Sequence, residues 1–278
     1  MVRYPATDAA DLARDLDVAS WLRQRGVRVP AVLAVGRGWA LLEDLGPEDA
    51  EGRLVRTAST MRADLAARLL EPLAALARIS PVELPRWNEP LDAGRLRWEL
   101  AGFELWYIRY GRGVTPPAEV VRWLDELAEE VGAHPVRVCH RDYHLNNLFF
   151  GPCDDAVVID VQDARIGPDT YDLVSLLEER AAHRLLGADD RAALREIWRR
   201  VTDPRPGWDE RYRTVRWQRG LKVLGTFARL VAGGRTEYAA WSDAVRRGLL
   251  ADADRDRVPP SMAALLVDSV EDGGRNAR

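Results

Sequence analysis

The residues best suited to chemistry lie in two neighbouring stretches, Cys-His-Arg-Asp-Tyr-His-Leu-Asn-Asn at 139–147 and Val-Val-Ile-Asp at 157–160. The first contains the spacing H-R-D-x-x-x-x-N, and the second is an apolar run that ends in aspartate. This arrangement is typical of a phosphoryl-transfer site, in which a base and two metal ligands share one loop and one hairpin. In that interpretation Asp142 takes the proton of an acceptor hydroxyl, while Asn147 and Asp160 hold magnesium.

The two metal ligands are expected at one end of a β-hairpin. The apolar runs 148–150 and 157–159 are separated by Gly-Pro-Cys-Asp-Asp-Ala, a composition that indicates a turn. Pairing these runs brings Asn147 and Asp160 together, and two oxygen ligands suit a hard cation such as magnesium. The alternative is a chance H-R-D beside a buried hairpin, which the additional asparagine and strand-end aspartate disfavour.

Composition limits the classes of function that the chain can have. Its 278 residues are 47% hydrophobic and 30% charged, which is typical of an ordinary soluble protein with one large domain or two lobes. The net charge of −4 argues against a general nucleic-acid binder. No apolar run has the length of a membrane span and no signal-peptide pattern opens the sequence, so we expect no membrane partner. The composition does not indicate an oligomeric state.

Cysteine usage adds an expectation about the cellular compartment. Two cysteines, Cys139 and Cys153, fit a reducing cytoplasm. We expect both to be buried as small hydrophobic residues, with a disulfide between them as the alternative.

Hydrophobic periodicity predicts a short region that contains strands, followed by a mainly helical region. A break at Gly46–Pro47 separates the two regions, and Gly26 is expected to end the first helix. The predicted strands cover residues 1–5, 29–35 and 39–45, and the predicted helices cover residues 8–25, 59–79 (bent or divided by Pro72), 92–111, 117–131, 170–186, 188–201, 209–231 and 237–250.

Two aspartates near the proposed site have different expected roles. Asp172 lies just inside a predicted helix, where its carboxylate can bind backbone amides of the catalytic stretch; a simple helix-dipole contact is the alternative. Asp163 is expected to contact the acceptor, although a second metal ligand or a solvated turn residue stays open. Gln162 is expected to behave in the same way.

Histidine and arginine side chains complete the candidate site. His140 is assigned a structural role within the H-R-D motif. His144 either touches phosphate or acceptor, or is satisfied inside the loop. Arg97 lies on a helix that could wall the acceptor pocket, and a solvated helix charge is the alternative.

The two central segments resemble the Brenner box and metal hairpin of the aminoglycoside phosphotransferase and choline kinase superfamily. More narrowly, Ile-Asp-Val-Gln-Asp-Ala at 159–164 resembles the bacterial N-acetylmuramate/N-acetylglucosamine anomeric kinases of cell-wall recycling. The further segments that carry this narrower resemblance are 41–46, 95–107, 167–177 and 218–230.

The resemblance implies an α+β, protein-kinase-like two-lobe fold. Residues 1–45 would form a truncated β-containing N-lobe and hinge, residues 46–270 a mainly helical C-lobe, and residues 271–278 a disordered tail. The implied enzyme is a cytoplasmic phosphotransferase that uses ATP and Mg²⁺, with Asp142 activating the anomeric hydroxyl of an amino sugar. Adenine would bind the backbone around the residues Glu43, Asp44 and Leu45.

The chain departs from the family pattern at its front. Such kinases begin with a glycine-rich hairpin and a strand that carries a phosphate-pairing lysine, and the stretch before the hinge contains neither. Arg3 is the candidate substitute, although a planar guanidinium is not equivalent to an ammonium group. We therefore expect either a misassigned or truncated start, or weak nucleotide binding. Two alternatives stay open, an aminoglycoside or other alcohol phosphotransferase and an impaired kinase-like binding protein.

Overall fold

The computed structural model of this chain describes residues 2–3, 9–202, 205–251, 253 and 258–267. The strands are β1 (Val2–Arg3), β2 (Val32–Gly36), β3 (Trp39–Leu42), β4 (Val136–Cys139), β5 (Leu148–Phe150), β6 (Ala156–Val158) and β7 (Arg165–Pro168). The α-helices are α1 (Ala9–Gln24), α2 (Ala50–Arg56), α3 (Arg62–Arg68), α4 (Leu70–Arg78), α5 (Ala93–Gly102), α6 (Ala118–Gly132), α7 (Tyr171–Leu177), α8 (Arg180–Leu185), α9 (Ala188–Thr202), α10 (Trp208–Ala232), α11 (Tyr238–Leu250) and α12 (Pro260–Val267).

The chain forms two compact units. The first contains Met1–Leu91 and Pro135–Trp208, and the second contains Asp92–His134 and Asp209–Arg278. The lobe boundary after residue 45 stays a prediction, and the predicted tail at 271–278 lies outside the described residues.

Three small antiparallel sheets, all in the first unit, account for the strands of the described residues. Their strand orders are β1-β3-β2, β4-β7 and β5-β6. Short antiparallel ladders surrounded by helices confirm the α+β class that the sequence predicts.

The first helix ends where the sequence predicts. Gly26 has a φ of +82°, which glycine adopts without the steric cost that other residues bear. The amides of Gly26 and Val27 donate to the carbonyls of Arg23 (3.1 Å) and Leu22 (3.1 Å), so the last carbonyls of α1 are satisfied. The chain then runs to the Arg28 carbonyl, which accepts from the Val158 amide in β6 at 2.9 Å.

The predicted helix at 59–79 is divided, as Pro72 suggests. A 3₁₀ turn over Ser59–Met61 precedes α3, and α4 starts after Leu69. Pro72 lies in the first turn of α4, where its missing N–H leaves no helical bond unmade. The division therefore falls before the proline.

In the second unit, one predicted α-helix is in part a π-helix, which hydrophobic periodicity does not distinguish. The predicted helix at 92–111 is α5 followed by a π-helix over Phe103–Gly111. The Asp92 carboxylate caps α5 by accepting from the Arg95 amide at 2.8 Å. Helix α6 packs so closely on α5 that a Cβ at Gly132 would lie 2.7 Å from the Ala93 nitrogen.

Other differences concern short elements. The predicted helix at 170–186 is interrupted between α7 and α8, and the sequence predicts neither α2 nor α12, which are too short for a clear period. Both cysteines are free thiols, so no disulfide joins them. Cys139 is buried as expected, but the prediction is wrong for Cys153, which is exposed in the hairpin turn.

Candidate active site

The hairpin β5-β6 brings the two predicted metal ligands to the same end. Leu148 pairs with Val158, and the Ile159 amide donates to the Asn147 carbonyl at 3.0 Å. Asp160 follows directly after Ile159, so it lies beside Asn147 at the end opposite the turn. The local pairing is the one that the alternation of apolar and turn residues predicts.

The Asn147 side chain is oriented by the loop before it. Its amide nitrogen donates to the Asp142 carbonyl at 3.0 Å and lies 3.5 Å from the His144 Nε2 atom. This anchoring leaves the amide oxygen with no partner in the part of the chain that the structure describes. An amide oxygen is a suitable ligand for a hard divalent cation.

Asp160 has a left-handed backbone conformation, with a φ of 62° and a ψ of 39°. Aspartate tolerates this region better than most residues, and the turn exposes its carboxylate. One carboxylate oxygen accepts from the Gln162 Nε2 atom at 2.6 Å, and the other has no partner among the described residues. The two open oxygens of Asn147 and Asp160 therefore fit a magnesium-type ligand pair.

No group of three or more histidine, cysteine, aspartate or glutamate side chains in the described ranges is arranged to hold a metal ion. The proposed pair contains one amide and one carboxylate. Such a sparse protein contribution is typical of Mg²⁺, which keeps water and substrate phosphates among its ligands.

A buried carboxylate holds the start of the segment His140–Asn147, which we call the catalytic loop after its predicted role. The Asp172 oxygens accept from the backbone amides of His140 (2.6 Å) and Arg141 (2.8 Å). Arg141 has a φ of 81°, an uncommon conformation for a residue with a side chain. Two charge-assisted hydrogen bonds at this position offset the local strain. These are the backbone-amide contacts predicted from the position of Asp172 just inside its helix.

His140 joins the catalytic loop to the hairpin. Its Nε2 atom lies 2.8 Å from the Ile159 carbonyl oxygen, and its Nδ1 atom lies 3.3 Å from the Asp142 nitrogen. A proton on Nε2 and a lone pair on Nδ1 satisfy both contacts with one neutral tautomer. His140 as a whole is 1% exposed. Its buried ring therefore connects the Asp142 backbone to the end of β6 through two hydrogen bonds.

The backbone around Asp142 is held from several directions. Its carbonyl accepts from the His144 amide at 3.0 Å as well as from the Asn147 side chain. The residue itself is half-buried. These contacts fix the backbone from which the Asp142 carboxylate projects, as its predicted role as a general base would require.

The predicted nucleotide segment Glu43–Leu45, called the hinge segment below, has an unexpected side-chain contact. Glu43 forms a two-pronged ion pair with Arg28, with oxygen–nitrogen distances of 2.6 and 2.8 Å. Arg28 also donates to Asp155 at 3.1 Å. The hydrogen bonds from Arg28 and from the Ala31 amide lower the pKa of Glu43 to about 2.

The other hydrogen bonds of the hinge segment involve its backbone amides and the Asp44 carboxylate. The Glu43 amide donates to the Ala31 carbonyl at 2.7 Å, and the Asp44 carboxylate accepts from the Gly46 amide at 2.9 Å. The Leu45 amide has no partner among the described residues. Arg3 pairs through β1 with Trp39, and the structure does not describe its side chain.

Two residues predicted to contact the acceptor, Asp163 and Gln162, bind other groups of the protein. Asp163 lies between Arg141 (3.2 Å) and the buried Arg165 (3.1 Å). The Gln162 side chain binds Asp160, while its carbonyl accepts from the Asn88 side chain at 2.8 Å. Their acceptor role stays a prediction.

The two other acceptor candidates also have internal partners. His144 is part of the loop, next to Asn147. Arg97 belongs to the second unit, where it pairs with Glu104 at 2.7 Å and with Asp125. It is therefore a half-buried helix charge with two acidic partners, and its acceptor role stays a prediction as well.

Sequence reasoning missed a group of side chains that contact the loop from outside. Asp49, Glu51 and Asn146 meet through hydrogen bonds, and Glu179 accepts from the Leu145 amide at 3.3 Å. Asp49 precedes a helix as a typical N-cap, and this was the one local signal available. Burial raises the pKa of Glu179 to about 7.

Comparison with known proteins supports the family assignment. The family model of the phosphotransferase enzyme family matches residues 1–213. Amicoumacin kinase hAmiN, solved in complex with AMP-PNP and Ca²⁺, is similar in fold, with a TM-score of 0.59 and 13% identity over 85% of this chain and 77% of that one. The kinase-like fold is thereby confirmed.

Two curated relatives are both named N-acetylmuramate/N-acetylglucosamine kinase. The Pseudomonas aeruginosa protein is 32% identical over 227 residues, covering 77% of this chain and 64% of its own length. The Caulobacter vibrioides protein is 30% identical over 242 residues, covering 80% and 65% respectively. The chain thus spans less than two thirds of the length of these relatives. No helix in the described ranges has the length and apolarity needed to cross a membrane. The family match and the site geometry agree, and the chain belongs to the phosphotransferase enzyme family.

Proposed function

We propose that this protein is a kinase that transfers the γ-phosphate of ATP to the anomeric hydroxyl of an amino sugar. The observation that carries the proposal is that Asn147 and Asp160 lie at the same end of the hairpin. The Asn147 side chain also donates a hydrogen bond to the backbone carbonyl of Asp142, which places the proposed base next to them. The acceptor class, N-acetylmuramate and N-acetylglucosamine, is taken from the names of the two relatives described above.

The roles of the loop residues follow from their chemistry. Asp142 accepts the proton of the attacking hydroxyl, and His140 holds the Asp142 backbone against the hairpin. The oxygens of Asn147 and Asp160 would hold Mg²⁺. When bound, this cation neutralises charge on the phosphate oxygens.

We assign nucleotide binding to residues 1–45 and acceptor chemistry to residues 46–270. The AMP-PNP complex of the similar kinase fold supports the use of a nucleoside triphosphate with a divalent cation. Because the Glu43 amide is already bonded to Ala31, adenine would have to use other backbone groups, such as the Leu45 amide. Arg3 remains our candidate for pairing with phosphate.

The test is a purified-protein assay with Mg-ATP and a panel of N-acetylmuramate, N-acetylglucosamine and streptomycin. We expect ADP release coupled to formation of a sugar 1-phosphate. Asp142→Asn should lower kcat by about 10²–10⁴-fold, because the variant has no carboxylate to take the proton. The matched control Asp189→Asn changes an exposed aspartate of α9 and should leave the rate unchanged.

Two results would contradict the proposal. One is the absence of phosphate transfer to either amino sugar by the wild type. The other is an Asp142→Asn variant with the wild-type rate. Transfer to streptomycin alone would favour an antibiotic phosphotransferase.

A further inference from the structure

Asn146, the residue before the proposed metal ligand, turns its side chain towards α2. The single amide nitrogen donates to Asp49 at 2.8 Å and to Glu51 at 2.9 Å. Both hydrogens of the amide are therefore used on carboxylates. Asp49 is fixed in turn, because its other oxygen caps α2 by accepting from the Gly52 amide at 2.9 Å.

Two arginines of α8 balance the negative charge at this point. Arg184 donates to Glu51 at 2.6 Å, and Arg180 donates to it at 3.3 Å. The Glu51 side chain is 15% exposed, so these contacts are only partly screened by solvent. Glu51 thereby connects three parts of the first unit, namely α2, α8 and the catalytic loop.

The neighbours of Asn146 are anchored as well. The Leu145 amide donates to Glu179, and the Asn147 side chain donates to the Asp142 carbonyl. Three consecutive loop residues thus have three different anchors. A displacement of Asn146 would move Asn147 with it, because the two residues share one 3₁₀ turn over Leu145–Asn147.

We propose that Glu51, acting through Asn146, is a positioning residue for the catalytic loop. It rests on the proposed function, since it concerns the placement of Asn147 and Asp142 for phosphate transfer. Nothing in the H-R-D-x-x-x-x-N spacing requires this contact, which joins residues 95 positions apart.

The test compares Glu51→Gln with Glu48→Gln in the full chain. Glu48 precedes the same helix and pairs with the exposed Arg56, so the control makes the same substitution away from the loop. We expect amide hydrogen exchange over residues 143–148 to become at least about 5-fold faster in Glu51→Gln alone. The kcat should fall about 10- to 100-fold with KM for ATP within about 2-fold, because the chemistry is misplaced while adenine binding is not.

Two further variants keep the test decisive. Glu51→Asp retains a carboxylate and should recover part of kcat. Asn146→Ala removes the hydrogen bonds to both Asp49 and Glu51. A glutamine at position 51 has one acceptor oxygen, which the two arginines of α8 occupy, so it gives up the contact with Asn146. Combining the two substitutions should therefore be no slower than Asn146→Ala alone, because the shared contact is lost only once. Equal exchange in the Glu51→Gln and Glu48→Gln variants would overturn the proposal. So would a Glu51→Gln variant that changes KM for ATP and not kcat.

The exchange measurement does not depend on an acceptor. If the wild type phosphorylates no sugar, the proposed function fails. Faster exchange in Glu51→Gln would then still support the loop contact, and unchanged exchange would reject it.

Discussion

The catalytic loop and the hinge segment both lie in the first unit, but their main side-chain contacts have different kinds of partner. In the loop, side chains hold the backbone: Asp172 binds two amides, and the Asn147 amide group binds a carbonyl. In the hinge segment, the Glu43 side chain is held by Arg28. A motif of side-chain types therefore describes the loop well, whereas it says little about a segment whose proposed role depends on backbone atoms.

The strongest test of this difference is Asp172→Asn. An asparagine places an NH₂ group against one of the two amides, so at least one buried hydrogen bond is lost and Arg141 loses support. We expect the free energy of unfolding to fall by about 3 kcal/mol, as measured by urea denaturation. Asp189→Asn changes an exposed residue and is the control, so it should leave the free energy of unfolding almost unchanged. A loss below about 1 kcal/mol for Asp172→Asn would show that the loop does not depend on this carboxylate.

A second test uses the pH dependence of Glu179, which anchors Leu145. Because burial raises its pKa to about 7, the folded protein keeps a proton on Glu179 that the unfolded chain releases above about pH 4.5. The unfolded state then binds fewer protons, so stability falls as pH rises from about 4.5 to 7. We expect this contribution to be roughly 2 kcal/mol.

The measurement is urea unfolding of wild type and Glu179→Gln at pH 5 and pH 8. Glutamine does not titrate and can still accept from the Leu145 amide, so the decrease between the two pH values should be smaller in the variant. Identical decreases in the two proteins would mean that Glu179 is ionised in the folded state throughout this range.

The hinge segment should respond more weakly. Glu43→Gln weakens a partly exposed ion pair with Arg28, and we expect a loss of roughly 1 kcal/mol. Since the pKa of Glu43 is lowered to about 2, its contribution is present above about pH 4.5 and is lost as pH falls towards 2. KM for ATP should change by less than about 2-fold, because the variant keeps every backbone group of the segment.

Glu83→Gln is the matched control for this variant. It removes a more exposed pair with Arg25 in the same unit and should cost less than about 0.5 kcal/mol. A large increase in KM for ATP in Glu43→Gln would contradict the comparison, since it would give the side chain a direct role with the nucleotide.

The smallest effect concerns the two thiols. Cys139 directly precedes the catalytic loop, and burial raises the pKa of its thiol well above the usual value. Cys153 is exposed in the hairpin turn. A thiol-alkylating reagent should therefore label Cys153 alone in the native protein and both residues in denaturant, as read by intact mass. Rapid native labelling of Cys139 would show that the base of the loop opens locally.

Much of the candidate site could be predicted from the sequence because its contacts are local. The hairpin that joins Asn147 to Asp160 follows from two short apolar runs and a turn between them. The position of Asp172 at the start of a helix follows from Gly167–Pro168 before it. Most of the helical part of the fold follows in the same way from hydrophobic periodicity. The exceptions are the π-helix at 103–111, the interruption between α7 and α8, and the short helices α2 and α12.

The sequence by itself therefore determined the catalytic spacing, the hairpin and most of the helices, since each depends on residues that are near one another along the chain. Tertiary structure decided which charged side chains form ion pairs or hydrogen bonds with distant parts of the chain. Arg28 meets Asp155 across 127 positions, and Asn146 meets Glu51 across 95. Such pairs depend on how the elements pack together, and no local pattern of residue types distinguishes their charges from those of a solvated surface.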